Sequence, residues 1–512
     1  MSSGTKPVKV YAAELEGIEA RIIEIEVDLH SGLHAVNIVG LADKALNEAR
    51  ERVSSALKNS GTKPPNQENR KITINLAPAD IKKTGSQYDL GIALGYLLAT
   101  GQVAPFDWQD KLFIGELALD GSLRSIRGAL SIAECAAKNG FKELYLPKAN
   151  SREAAAVTEI SAIPISSMRE LINHLEGRTI IDKAETEKNR IYTKISPDFE
   201  DVRGQGLVKR ALEIAAAGRH NVLLSGSPGV GKSMLAQAFA GILPELTPHE
   251  AIEVTKVWST AGLHPEGGLM HTRPFRSPHQ TASLVSIVGG GPDPRPGEIS
   301  LAHHGVLFLD ELPEFQKNTL EALRQPMESG KVHVARARGT VTFPAQFTLV
   351  AAMNPCPCGF NGDPEHACRC GAYEVERYQK KISGPLLDRI DLQLQVNRIP
   401  INEIRSDKKE ETSEEIRKRV SFARKIAETR SEKYGSRPKP NGELSSKEID
   451  RLVNLSSDGE EFLKKITEKE LSPRGFFKLL KVARTIADLE DSETTEERHL
   501  LEAYGYRVKQ EH

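Results

Sequence analysis

The chain of 512 residues has only five cysteines, and four of them fall within CPCGFNGDPEHACRC at 356–370. A secreted scaffold of dispersed disulfides is therefore excluded. Net charge is also nearly missing: 69 Lys and Arg stand against 70 Asp and Glu, a formal charge of -1. No overall field draws the chain to nucleic acid, so any such contact must come from local basic patches. No apolar run reaches the roughly 18 to 20 residues that span a membrane. The opening MSSGTKPVKVYAAELEG lacks a charged start followed by an apolar stretch, so no secretory signal is expected. Together these absences predict a cytoplasmic protein without a membrane partner. What is present, 39% hydrophobic and 27% charged residues, is a globular balance, and the length predicts about three domains.

The patterning divides the chain. Within residues 1–175, IIEIEVDLH and KITINLAP alternate with period 2, while KALNEARERVSSALKNSG has helical spacing and ends in glycine. DLGIALGYLLATG, KLFIGELALDG and ALSIAECAAKNG then read as helix, strand and helix, and Cys135 in the last is a core residue. These features predict an α+β domain. Residues 176–200 are polar and predict a linker, and 201–400 predict a second α/β domain. In 401–442 charge is so dense that a solvated helical connector is expected, with Ile416, Val420 and Ala423 on one face. Residues 443–512 predict a small all-α domain.

NVLLSGSPGVGKSMLAQAFAG is an apolar strand, a glycine-rich loop and a helix. Its G-x-x-x-x-G-K-S match comprises Gly226, Ser227, Pro228, Gly229, Val230, Gly231, Lys232 and Ser233. Such a loop cradles phosphates with backbone N–H groups, its lysine reaches the β- and γ-phosphates, and its serine holds Mg²⁺. This predicts ATP as ligand. GVLFLDELPEF supplies the second strand expected of a P-loop protein, ending in Asp310 for Mg²⁺ and Glu311 to polarise the attacking water. FTLVAAMNP ends in Asn354, whose amide would orient that water. GPLLDRIDLQLQV places Arg389 between aspartates, and LSPRGFFKLLKVAR places Arg474 in a first helical turn. Either arginine alone reads as a surface ion pair. Following a P-loop in this order, they read as stabilisers of charge in phosphoryl transfer.

The pairs Cys356/Cys358 and Cys368/Cys370, separated by nine residues, predict a four-thiolate site for structural Zn²⁺. His366 is a substitute ligand, and an iron–sulfur cluster is the alternative. The loop starts two residues after Asn354, which suggests a metal-stiffened element at a subunit interface or channel.

The ordered motifs resemble those of AAA+ ATPases. GSPGVGKSMLA, FRSPHQTAS, GGGPDPRPGEISLAHHGVLFLDELPEF and MNPCPCG are similar to the magnesium-chelatase-like ComM/YifB family, over nearly the whole chain. The resemblance implies an AAA+ core with Walker A at Gly226 to Ser233 and Walker B at Asp310 and Glu311. It makes Asn354 sensor 1, Arg389 the arginine finger and Arg474 sensor 2, and the C-terminal domain a helical lid. It further implies a homohexameric ring, promoted by nucleotide or DNA, that hydrolyses ATP. Such families are implicated in DNA branch migration during recombination and natural transformation, alongside recombination proteins. A chelatase-type motor that remodels a protein without binding DNA is the alternative.

In related AAA+ motors hairpins line the central channel. ESGKVHVARARGTVTFP reads as such a hairpin with Lys331, Arg336 and Arg338, and HTRPFRSPHQTAS carries Arg273, Arg276 and His279. These cations would track single-stranded or branched DNA through its phosphates; basic hairpins are also common as guarded edge strands. KKTGSQYDLGIAL and IGELALDGSLRSIRGAL resemble the Lon-protease domain, whose fold is shared with ribosomal protein S5. The position of its serine nucleophile falls at Gln87 and that of its lysine at Leu130, with Ser86, Lys82 and Lys83 nearby. A catalytically dead domain is expected.

Overall fold

The computed structural model describes residues 7–40, 46, 48–67, 69–186, 196–264, 268–336, 339–400, 402 and 409–507. The first half is built on a mixed sheet of seven strands. β1 (Val8–Glu16) and β2 (Glu19–Ser31) pair antiparallel from Val8↔Val27 to Glu16↔Glu19, turning at Gly17. β3 (Ala35–Val39), β4 (Arg70–Ala77), β5 (Lys111–Phe113), β6 (Glu143–Pro147) and β7 (Ser161–Ile165) complete the order β3-β4-β2-β1-β5-β6-β7.

Period-2 alternation sends Val10 and Ala12 of β1 into one core and Ala13 into another. Helices α1 (Ala49–Asn59) and α2 (Asp89–Ala99) cover the first core, and α3 (Ala129–Lys138) the second. α2 lies close on the sheet because Gly91 and Gly95 have no side chain. A Cβ there would come within 2.6 Å of Ile25 and 2.8 Å of Val27.

The second half holds α4 (Gly206–Gly218), β8 (Val222–Ser225), α5 (Lys232–Gly241), α6 (Pro248–Ala261), β9 (Phe275–Arg276) and β10 (Val306–Leu309). The hairpin β11 (Lys331–Arg336) and β12 (Gly339–Pro344) follows, then β13 (Thr348–Met353) and β14 (Leu392–Gln395). β9-β10-β13-β8-β14 form a wholly parallel sheet. β10 and β13 are buried at every residue, as strands covered on both faces must be.

The charged segment departs from the expected solvated helix. α7 (Ser413–Lys433) buries Ile416, Val420, Ala423 and Ala427 against α4 and α8 (Pro473–Leu489). Most of its charges sit on the remaining faces, where Arg419 pairs with Glu213 at 2.6 Å, while the buried Arg424 donates to the Ala216 carbonyl of α4 at 3.0 Å, so one apolar stripe suffices for docking. Phe199, Leu224, Val420, Leu480 and Leu500 belong to one continuous core, joining the C-terminal helices to the parallel sheet. Of the expected linker, residues 187–195 lie outside the described residues; Ala184 is bonded back to the first sheet at Ala162, 2.8 Å.

The two halves meet through α3 and α6. Lys256 pairs with Glu134 at 2.5 Å, Ser259 Oγ accepts from the Gly128 N–H at 2.9 Å and donates to the buried Glu153 at 3.1 Å. Arg127 meets Asp293 at 2.8 Å. The β11–β12 hairpin also leans on the β1–β2 turn, where a Cβ at Gly17 would be 2.6 Å from Val341. No helix among the described residues is long and apolar enough to cross a membrane.

Candidate nucleotide site and cysteine cluster

β8 ends at Ser225 in the interior of the parallel sheet, and residues 226–233 turn from it into α5. Gly226 has no room for a side chain, since a Cβ would lie 2.4 Å from the Val396 carbonyl oxygen. Gly229 and Gly231 have φ of +78° and +89°, which only glycine adopts without strain. Val230 packs against the core beside them. The free N–H groups at the start of α5 thus face the loop, the arrangement that receives phosphate.

Three separate motifs converge here, at the C-terminal ends of parallel strands. The Lys232 ammonium donates to the carbonyls of Gly226 (2.6 Å) and Ser227 (3.0 Å) and to Asn354 Oδ1 (3.0 Å). Burial lowers its pKa, while Asp310 and Glu311 favour its charge. Ser233 Oγ donates to Asp310 Oδ2 at 2.8 Å. Glu311 takes a left-handed conformation, φ +53°, and its N–H donates to Asp310 Oδ1 at 2.9 Å. A glutamate held in that region at a strand end is strained, a cost of the kind found at functional sites. The oxygens of Ser233 and Asp310 suit a hard cation such as Mg²⁺.

Arg389 and Arg474 share a different place. Both reach Glu328 Oε1, Arg474 at 3.1 Å and Arg389 in a closer pair. Burial and the neighbouring Arg474 hold the Arg389 guanidinium below its ordinary range. They line a cavity of about 1900 Å³ with Arg424, Lys478 and Lys481; among the described residues that line it are none of 226–233, nor Asp310, Glu311 or Asn354. The two arginines therefore sit together and apart from the phosphate loop of their own chain.

The four cysteines close on one another. Cys356, Cys358 and Cys368 have Sγ separations of 3.4, 3.6 and 3.6 Å, and all four sulfurs, Cys370 included, lie within 4.8 Å. A tetrahedron with metal–sulfur bonds of about 2.3 Å has edges of roughly 3.8 Å, so the set fits a tetrahedral thiolate-bound ion. Backbone N–H groups of Arg369 and Phe360 hold the Cys358 thiol down at about 6, whereas, against a backbone hydrogen bond from Cys358, burial and the neighbouring sulfurs push the Cys370 thiol up to about 12. His366 stacks on Phe360 instead of joining the sulfurs. The loop also leans on the phosphate loop of its own chain, where Gly359 packs against Pro228.

The basic loop corrects another expectation. Arg273 is only 8% exposed, donating to the carbonyls of Pro244, Glu245 and His304 and pairing with Glu250 at 2.9 Å. It is an internal strut and does not face solvent. Arg276 makes a two-pronged pair with Glu298 (2.6 and 2.7 Å) and lies over the Trp258 ring. Lys331 is exposed at the base of the hairpin, and Arg336 ends β11 opposite Gly339. Arg338 lies outside the described residues. In the first half, Ser86 bonds to Glu116, Lys83 to the Pro78 carbonyl and Gln87 to Glu14, so these three residues are engaged elsewhere, while Lys82 is exposed. Leu130 is core.

Sequence reasoning missed Glu253, His303 and His304, which meet with Glu253 Oε2 at 2.6 Å from His304 Nε2 and 3.5 Å from His303 Nε2. The Gln346 N–H donates to His303 Nδ1, so the neutral ring carries its proton on Nε2 and offers Glu253 a donor, leaving a metal no lone pair there.

Comparison with known proteins agrees with this geometry. Residues 198–404 match the family "Magnesium chelatase, subunit ChlI", 25–150 "Subunit ChlI of Mg-chelatase" and 410–507 "Magnesium chelatase, subunit ChlI C-terminal". The chain is 42% identical over 505 residues to "Competence protein ComM" of Haemophilus influenzae, covering 98% of this chain and 97% of that protein. It is 41% identical over 495 residues to "Uncharacterized protein YifB" of Escherichia coli, covering 96% and 95%. A "Magnesium-chelatase 67 kDa subunit" of Chlorobaculum parvum is 32% identical over 161 residues, 31% of this chain and 23% of that one.

Proposed function

Because this chain belongs to the magnesium-chelatase-like ComM/YifB family of AAA+ proteins, we propose that it is an ATP-driven DNA motor, a branch-migration helicase or translocase. The family supports ATP and Mg²⁺ as ligands. In this reading the N–H groups of residues 226–233 and Lys232 bind the phosphates. Mg²⁺, held by Ser233 and Asp310, would neutralise charge between the β- and γ-oxygens. Glu311 polarises the water and Asn354 orients it, its Oδ1 already tied to Lys232.

The observation that carries the reading is the separation of Arg389 and Arg474 from their own phosphate loop, together on Glu328. Guanidiniums so placed would serve the ATP of an adjacent copy, which requires a ring, and we take it to be a homohexamer with the C-terminal helices as its lid. The cysteine set supports Zn²⁺ as a structural ion. DNA is assigned to the hairpin, through Lys331, Arg336 and Arg338, and no longer to Arg273 or Arg276. The name of the Haemophilus relative suggests a role in competence.

The test is conversion of a labelled four-way junction to separated duplexes with ATP and Mg²⁺. Wild type is expected to convert it and Glu311→Gln to fail. ATP hydrolysis without any junction processing or strand movement would turn the assignment to the alternative, a chelatase-type motor acting on a protein partner.

A further inference from the structure

The cysteine loop touches the phosphate loop at two points. Gly359, with φ +88°, approaches Pro228 so closely that a Cβ would lie 2.6 Å from the proline ring. Asp363, whose side chain is 1% exposed, lies beside Ser227 on the wall of one small cavity and accepts from the N–H groups of Glu365 (2.9 Å) and His366 (3.0 Å). It also pairs with Arg398 at 3.2 Å, just past β14, the strand that flanks β8. Two members of the loop that would hold phosphate, Ser227 and Pro228, thus rest on residues whose chain is clamped at both ends by the cysteines. Among the described residues near the nucleotide groups, no cysteine sulfur bonds to Lys232, Ser233 or Asp310.

We propose that the metal-loaded cysteine cluster is a brace on the phosphate loop of its own subunit, setting nucleotide affinity through Asp363–Ser227 and Gly359–Pro228. This rests on the nucleotide reading above. Ligation at Cys356/Cys358 and Cys368/Cys370 closes the loop that carries both contacts, so the entropy of ordering it is met by metal binding. Without the ion, the loop must be ordered when nucleotide binds, and affinity falls. Asp363 is then a positioning residue, not a catalytic one. Linkage makes the effect reciprocal: nucleotide must tighten the hold on the ion by the same factor.

The experiment uses the full chain in the Glu311→Gln background, so that ATP persists. Zinc content is measured first, then the affinity for a fluorescent ATP analogue before and after zinc is stripped by a chelator, with circular dichroism as a check on folding. Stripping is expected to weaken nucleotide binding by about 5- to 100-fold, and saturating ATP to lower the chelator-accessible zinc by a matching factor. Asp363→Ala, with zinc retained, is expected to weaken binding by about 10- to 100-fold. Equal affinity with and without zinc, or an unchanged Asp363→Ala, overturns the brace, and absence of bound zinc after reconstitution overturns its metal dependence. Should stripping unfold the chain, Asp363→Ala and Ser227→Ala decide it. If Lys232→Ala binds the analogue as well as its parent, the nucleotide reading has failed instead.

Discussion

Arg389 and Arg474 show how one carboxylate organises a cleft: Glu328 holds two like charges side by side, at a distance from the groups that would bind phosphate. If they serve an adjacent subunit, Arg389→Ala should slow ATP turnover by about 10³-fold while leaving nucleotide affinity intact. Mixing it with Lys232→Ala subunits should restore part of the phosphate release, since one parent supplies the arginine and the other the site. Glu14 offers a different test. Burial pushes its carboxyl from 4.5 up to about 7 against hydrogen bonds from Tyr88 and Thr84. The folded value exceeds the unfolded one, so this stability is fully present below about pH 4.5 and lost as pH rises through 7. The loss is up to about 3 kcal/mol. Glu14→Gln should flatten the dependence of thermal stability on pH in that window, as melting curves would report. Lys232, Ser233, Asp310, Glu311 and Asn354 were legible because each sits at a strand end or helix start within a contiguous motif. Asp363 and Glu328 were not, since their partners Arg398, Arg389 and Arg474 are distant in sequence. Arg273 and Arg276 read as cations for a phosphate backbone because nothing local announces Glu250 or Glu298.

At the scale of elements, hydrophobic period outweighs charge. α7 reads as solvated by composition, yet Ile416, Val420 and Ala423 recur on one face and dock it. The parallel strands were legible as apolar runs, while the contact of the hairpin with the β1–β2 turn depends on the tertiary fold. The hairpin pairs Lys331↔Pro344 through Arg336↔Gly339, burying Val332 and Phe343 and exposing Lys331. If it tracks a phosphate backbone, Lys331→Ala with Arg336→Ala should weaken DNA binding across sequences. The slope of log affinity against log salt should fall by about one for each lost contact. Fluorescence anisotropy over a salt series measures both, and an unchanged slope would remove the hairpin from the DNA path.

At the scale of the whole molecule, the first half is fastened to α6 by Lys256–Glu134 and Ser259–Glu153 and to the loop at Asp293 by Arg127, and α6 carries Glu250, the partner of Arg273. Motion of the nucleotide-bearing sheet would therefore be carried to the mixed sheet. The near-zero net charge would leave any recognition of DNA to local patches, so the proposed motor stands on coupling between those patches and the ATP site. The most direct measurement is the rate of ATP hydrolysis by the purified chain alone and with single-stranded, duplex and four-way-junction DNA, with Glu311→Gln as control. The account predicts stimulation by DNA, strongest with the branched substrate, and no turnover by Glu311→Gln. Hydrolysis that is robust yet indifferent to every DNA would contradict it.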